Sequence, residues 1–156
     1  MILTNEYIRG LVDGEGCFTF YPLRRYSRKT GYVRKKMPAF VIAMHERDEA
    51  LLYSVKETLG LSTKIYQFKA YTKDGYKRGN KAVIVVRGMG PLKNVIIPLF
   101  YGKLRGYKAT QFLNWLEKIG TDPEVIDQYK LLYRLHKTGY FERELSSNGL
   151  FRKFLN

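Results

Sequence analysis

The segment Ile8-Arg9-Gly10-Leu11-Val12-Asp13-Gly14-Glu15-Gly16 constrains the fold of this chain more than any other stretch, because it joins a helix face built for close packing to acidic residues at the helix end. Thr4 stands ahead of it as an N-cap and Glu6 suits the positive end of the helix dipole. Gly14 and Gly16 close the pattern, so the spacing predicts a short helix over residues 5–12. Gly10 and Gly14, four residues apart, share one face of it. Each Gly in a helix costs roughly 0.5–1 kcal/mol relative to Ala, a cost that makes sense where another backbone must come very close. Glu15 then lies near the negative end of the dipole, where a carboxylate is disfavoured by about 0.3–1 kcal/mol unless a cation offsets it.

At 156 residues the chain is expected to form one domain, 1–156, long enough for a real core. The single Cys17 rules out an internal disulfide framework and implies a reducing compartment. One Cys with the scattered pair His45 and His136 makes no zinc-ligand cluster. No apolar run approaches the roughly 18 residues that span a bilayer, and the start Met-Ile-Leu-Thr-Asn-Glu-Tyr lacks a basic region followed by an apolar one. The expectation is a soluble intracellular protein, in the cytoplasm or an organelle, with no membrane partner.

A net charge of +14 on so small a domain, with a pI near 9.9, points to a polyanionic partner. The distribution is more telling than the sum. From Cys17 to His45 the charged side chains are Arg24, Arg25, Arg28, Lys29, Arg34, Lys35 and Lys36, with no acid among them. From Leu61 to Gly88 they are Lys64, Lys69, Lys73, Lys77, Arg78, Lys81 and Arg87, opposed only by Asp74. Both stretches read as β-hairpins. Cys17 to Tyr21 and Ala39 to Met44 are β-prone runs around turn residues Ser27 to Gly31, with Pro22 and Pro38 expected to mark bulges or an edge. Lys64 to Tyr71 and Lys81 to Arg87 flank Lys73-Asp74-Gly75. Alternation sends Ile65, Gln67 and Lys69 to one face and Lys64, Tyr66 and Phe68 to the other, without saying which face is wet.

Helical spacing covers Asp48 to Leu59, ended by Gly60, and this helix is expected on the dry face of the sheet. Further helices are expected within Pro91 to Phe100, over Tyr107 to Ile119 and over Pro123 to His136. Helix, hairpin, helix, hairpin, helices is the order of an α+β domain with an antiparallel sheet covered on one side. Two ten-residue strands at roughly 3.3 Å per residue span about ten base pairs, and a two-stranded ribbon fits a major groove.

The opening segment resembles the signature of the LAGLIDADG homing endonucleases. Ile8 stands for its first Leu, Arg9 for Ala, Gly10 for Gly, Leu11 for Leu, Val12 for Ile, Asp13 for the first Asp, Gly14 for Ala, Glu15 for the second Asp and Gly16 for the last Gly. Arg9 departs from the usual small residue and is expected to point outward. The first sixteen residues carry the diagnosis, and the later order of elements fits the family's core. The resemblance implies an α-β-β-α-β-β-α core whose four-stranded antiparallel sheet forms a DNA-binding saddle, with the helices on its other face. It implies motif helices of two half-sites packed through Gly10, Leu11, Asp13 and Gly14, and one acid from each, Glu15, delivered to divalent metal together with the Gly14 carbonyl. Since the chain carries one copy of the motif, a homodimer is expected on a pseudo-palindromic duplex of roughly twenty base pairs. Mg²⁺ (or Mn²⁺) would serve as cofactor, and the staggered cuts would leave short 3′ overhangs.

Asp13 is read as structural, capping the partner helix. By resemblance a basic residue serves the scissile phosphate, and Lys103, Arg105 and Lys108 all fit its location. His45 lies where family members often have a polar residue that holds water. Arg24, Arg25, Arg28, Arg34, Lys36, Lys64, Lys69, Lys81 and Arg87 are expected to contact DNA, mostly at phosphates, with Gln67 able to read adenine. The alternative is an RNA maturase, or another non-catalytic nucleic-acid-binding protein of the same fold. The tail from Gly139 to Asn156 is expected to be a peripheral extension that packs on the domain or braces the DNA.

Overall fold

A computed structural model describes residues 1–70, 73, 75 and 79–146, the last three by backbone alone. The first helix, α1, runs Asn5–Glu15, with the Thr4 hydroxyl accepting from the Tyr7 N–H at 3.1 Å. It is three residues longer than expected. Gly14 lowers helix propensity without blocking the helix, and the buried Ile8 and Val12 outweigh that cost. The stop is Gly16, in extended conformation with its N–H on the Val12 carbonyl. A Cβ there would lie 2.6 Å from Val12 Cγ1, so the turn into the sheet requires glycine.

The sheet follows directly. Strands β1 (Gly16–Ser27) and β2 (Gly31–His45) form one regular antiparallel hairpin from Gly16 opposite Ile42 to Ser27 opposite Gly31. Gly31 turns it at φ 73. The expected bulges do not occur. Pro22 lies on the edge strand β1, and Pro38 lies beyond the stretch of β2 that pairs with β4, where a missing N–H costs little. Helix α2 (Glu49–Leu59) ends at Gly60 in the left-handed region, φ 63. Strands β3 (Ile65–Phe68) and β4 (Lys81–Val86) complete the antiparallel order β1-β2-β4-β3. The second hairpin is shorter than expected, and Tyr71 and Asp74 lie outside the described residues.

Residues 89–100 form α3, with Leu92–Ile96 wound as a π-helix just ahead of Pro98, which has no N–H for the preceding turn. Helix α4 (Tyr107–Thr121) packs along β1, where the Trp115 indole N–H donates to the Thr19 carbonyl at 2.8 Å. The helix expected over Pro123 to His136 begins late, as a short 3₁₀ turn and then α5 (Lys130–Lys137). Ahead of it the chain is extended, because Lys36 N–H donates to the Glu124 carbonyl and Ile126 N–H to the Lys36 carbonyl, covering β2 where β4 leaves it open. Helix α6 (Tyr140–Ser146) seats Phe141, 1% exposed, on Tyr101. This part of the tail belongs to the core rather than the periphery; Leu150, Phe151 and Phe154 lie outside the described residues.

Register and burial together assign the two faces. Phe18, Phe40, Ile42, Ile65, Ala82, Ile84 and Val86 turn toward the helices, and Phe18 is ringed by Phe40, Phe100, Phe112 and Trp115 at 4.9–5.9 Å. Directly opposed residues in an antiparallel pair share a face. Cys17, Val41, Ala43, His45, Tyr66, Phe68, Lys81 and Val85 therefore line the other face, which no helix of the described residues covers.

Candidate active site and nucleic-acid interface

The end of α1 delivers Glu15 to the surface beside the first row of the open face. Its carboxylate is exposed and forms neither a hydrogen bond nor an ion pair with the described residues, and no basic residue occupies the last turn of α1. An acid so placed faces the negative end of its own helix with nothing among the described residues to offset it. Such an arrangement favours an external cation, and carboxylate and carbonyl oxygens suit a hard one such as Mg²⁺. Among the described residues no three His, Cys, Asp or Glu side chains stand together as a metal-binding group.

Along the same helix Gly10 and Gly14 are exposed, and a Cβ built on either meets nothing within 4 Å. Neither glycine is needed by the packing of the described residues. Tyr7, 50% exposed, extends this face one turn toward the N-terminus, while Leu11 is half-buried against the core. Asp13 is occupied within its own chain: its carboxylate accepts from the backbone N–H of Arg105 and Gly106 at 3.2 Å. Gly106 is the N-cap residue of α4 and no side chain caps that helix; Asp13 instead holds the two residues that lead into α4, fixing the loop against α1. Asp13→Ala is expected to cost about 1–2 kcal/mol in urea unfolding, against a few tenths for an exposed substitution of similar size.

Arg9 does not point outward. Its side chain is 12% exposed, with Nε donating to the Leu99 carbonyl at 2.9 Å and Nη1 3.7 Å from Glu6. Leu99 lies in the last turn of α3, where carbonyls lack helical partners and attract a cation. Burial lowers the Arg9 pKa and Glu6 opposes that shift; Nη2 is buried without a partner. Nothing in the sequence of α1 signals this contact, since Leu99 is 90 residues away.

Lys103 and Arg105 line a depression with Glu6, Arg9, Gly10 and Asp13, alongside α1, and Lys108 sits half-buried in the first turn of α4. None of the three contacts Glu15 within the described residues. His45 ends β2 and caps the short 3₁₀ turn that follows: Nδ1 accepts from the Arg47 N–H at 3.1 Å, which makes Nε2 the protonated nitrogen. Its ring rests on Gly79, where a Cβ would lie 1.8 Å from Nε2.

The basic side chains divide between the faces. Arg25 and Lys35 share the open-face alternation, Lys81 lies opposite both His45 and Phe68, and Arg87 stacks over the Tyr21 ring at 5.4 Å. Lys64, one residue ahead of β3, continues that alternation, and Arg28 lies at the hairpin tip. Arg24 and Arg34 alternate to the opposite side, with Arg24 over Tyr32 at 5.5 Å. Lys69 follows β3 outside the ladder.

Two of the residues expected to contact DNA have acidic partners within the chain. Lys36 lies 2.9 Å from Asp122 and 3.3 Å from Glu124, and these hydrogen bonds raise its pKa. Gln67 falls on the helix side, donating to both Glu49 carboxylate oxygens at 3.0–3.1 Å. Each is held by an acid that is distant in sequence, which alternation alone could not reveal.

A family model described as LAGLIDADG endonuclease matches residues 8–119. Among solved structures, the homing endonuclease I-TnaI is 24% identical with a TM-score of 0.62, over 98% of this chain and 95% of that one. The I-LtrWI LAGLIDADG homing endonuclease bound to target DNA is 27% identical at TM-score 0.59, over 96% of this chain and 41% of its own. I-SmaMI bound to cleaved DNA is 24% identical at TM-score 0.58, over 86% and 44%. The chain thus spans less than half the length of the last two and nearly all of the first.

Proposed function

Because this chain belongs to the LAGLIDADG endonuclease family, we propose that two copies of it cut both strands of a DNA duplex at a defined, pseudo-palindromic site, using Mg²⁺ (or Mn²⁺) held by the two Glu15 carboxylates. The observation that carries this reading is Glu15, without a partner among the described residues, at the end of a helix whose Gly10–Gly14 face is open. Glycine in a helix is unfavourable by about 1 kcal/mol against Ala, and the packing of one chain gives no return for it. A second copy of α1, brought within backbone contact by a two-fold axis, would use both glycines and set the two Glu15 side chains side by side.

Two carboxylates so close repel one another, and divalent cations with oxygen ligands from Glu15 and the Gly14 carbonyl relieve that repulsion. When bound, such cations activate water and stabilise both the attacking and leaving oxygens of an in-line displacement at phosphorus. The chain's own residues do the rest. Lys81, Arg87, Lys64, Arg25 and Arg28 hold the duplex by its phosphates, each contact adding to affinity and to its salt dependence. Lys103, Arg105 and Lys108 place positive charge beside the motif helix, where it offsets the charge gathering on the phosphate as the bond breaks. The 12 residues of β1, at about 3.3 Å each, reach some 40 Å, about twelve base pairs per subunit.

The test is to expose the protein to a randomised double-stranded library, with Mg²⁺ or with EDTA, and to sequence the ends produced. Metal-dependent ends gathered at one two-fold-related site are expected. Uncut DNA combined with a preference for folded RNA would instead favour a maturase of the same fold.

A further inference from the structure

The part of the open face next to Glu15 is not polar. Cys17, Val41 and Val85 lie side by side across β1, β2 and β4, and Ala43 stands in the next row. The cations surround this patch rather than enter it: Lys64 and Lys81 border it along β3 and β4, and Arg87 is drawn aside over Tyr21. Toward the hairpin tip the same face becomes basic, with Lys35 and then Arg25. The three strands span two interstrand spacings, about 10 Å, close to the roughly 12 Å width of a major groove.

We infer that the inner part of this face selects thymine, through its C5-methyl group, at the base pairs nearest the centre of the target in each half-site. Valine and alanine side chains neither donate nor accept hydrogen bonds. Set against the major-groove edge of guanine, cytosine or adenine, they would strip water from a donor or acceptor and return nothing, a loss of the kind that costs an unpaired polar group dearly. The thymine methyl is the one apolar group in the groove, and it gains from the same burial. Position follows from the fold. β1 leaves Glu15 and runs outward, so the Val41–Val85 row meets pairs nearer the centre than the rows of Lys35 and Arg25 do. Each two-residue step along a strand, about 6.6 Å, advances roughly two base pairs. Arg25 meets the outer pairs, where guanine and phosphate suit it, while Lys35 donates to the Pro123 carbonyl at 3.5 Å.

The inference rests on the endonuclease reading, and one experiment separates them. The full-length protein is used in EDTA to select duplexes from a randomised library, and the selected site is resynthesised with deoxyuridine in place of thymidine, at inner or outer positions. Inner replacement is expected to weaken binding about fourfold for each methyl removed, the ratio equivalent to ~0.8 kcal/mol per buried carbon. Outer replacement should change it less than twofold. Val41→Thr combined with Val85→Thr, nearly identical in shape, should bring the thymidine-to-deoxyuridine ratio toward one, with melting curves reporting that the sheet is intact. Selected sites lacking inner thymine, or unchanged affinity after inner replacement, would overturn the inference and leave the nuclease standing. Failure to select any duplex would overturn both.

Discussion

Glu15→Gln is expected to bind the target duplex and leave it uncut. The substitution keeps the size of the side chain and removes the charge that would hold a divalent cation, so cleavage is expected to fall by roughly 10²–10³-fold or more, the loss typical of removing one charge-stabilising group from an active site. The fold is expected to tolerate it well. Glu15 has no partner among the described residues, and it sits at the end of α1 where a negative charge is unfavourable, so the variant gains about 0.3–1 kcal/mol. Lost cutting with a slightly raised melting temperature is a combination that general destabilisation does not produce. Gel shifts in EDTA should give affinity equal to or tighter than the parent, because a carboxylate near phosphate has gone. Persistent metal-dependent cleavage by the variant would remove Glu15 from the proposed site.

Gly10→Leu is expected to convert a dimer into a folded, inactive single copy. In one chain the new side chain meets open space, and the helix gains close to 1 kcal/mol of intrinsic propensity over glycine. In the proposed pair the same side chain lies where a second backbone must pass, and helices cannot approach closely with leucine between them. Light scattering should therefore fall to the mass of one chain, the far-ultraviolet spectrum should be unchanged, and double-strand breaks should drop by at least about 10²-fold, the penalty for a site whose parts are no longer held together. Position 10 is the better choice than position 14, whose carbonyl is proposed to serve the metal. A variant that remains dimeric and active would exclude the motif helices as the interface.

The two predictions draw on residues whose meaning is local. The glycine spacing in α1, the acid at its end, the two basic β-prone stretches and the amphipathic run before Gly60 are each contained within about ten to thirty residues. Capping, dipole sign and periodicity act over that range. From them came the element order, the antiparallel sheet and the position of Glu15, all of which the structure bears out. The end of α1 was the exception, because a penalty of about 1 kcal/mol at Gly14 is small beside the burial of Ile8 and Val12.

What tertiary structure alone decided was the partner of each polar side chain and the direction of each strand face. Arg9 turns inward because Leu99 offers an unsatisfied carbonyl 90 residues later. Asp13 holds the loop that leads into α4 because the chain returns there at Arg105 and Gly106. Lys36 and Gln67 turn away from the open face because Asp122, Glu124 and Glu49 stand on the other side. Alternation in β3 divided its residues correctly into two sets, yet only the burial of Ile65 and Ile84 in the common core said which set was dry. The sequence by itself determined what each segment would form, since hydrogen-bond periodicity and propensity are properties of neighbouring residues. Which groups meet across the fold depended on burying one common core, a condition that no single segment contains.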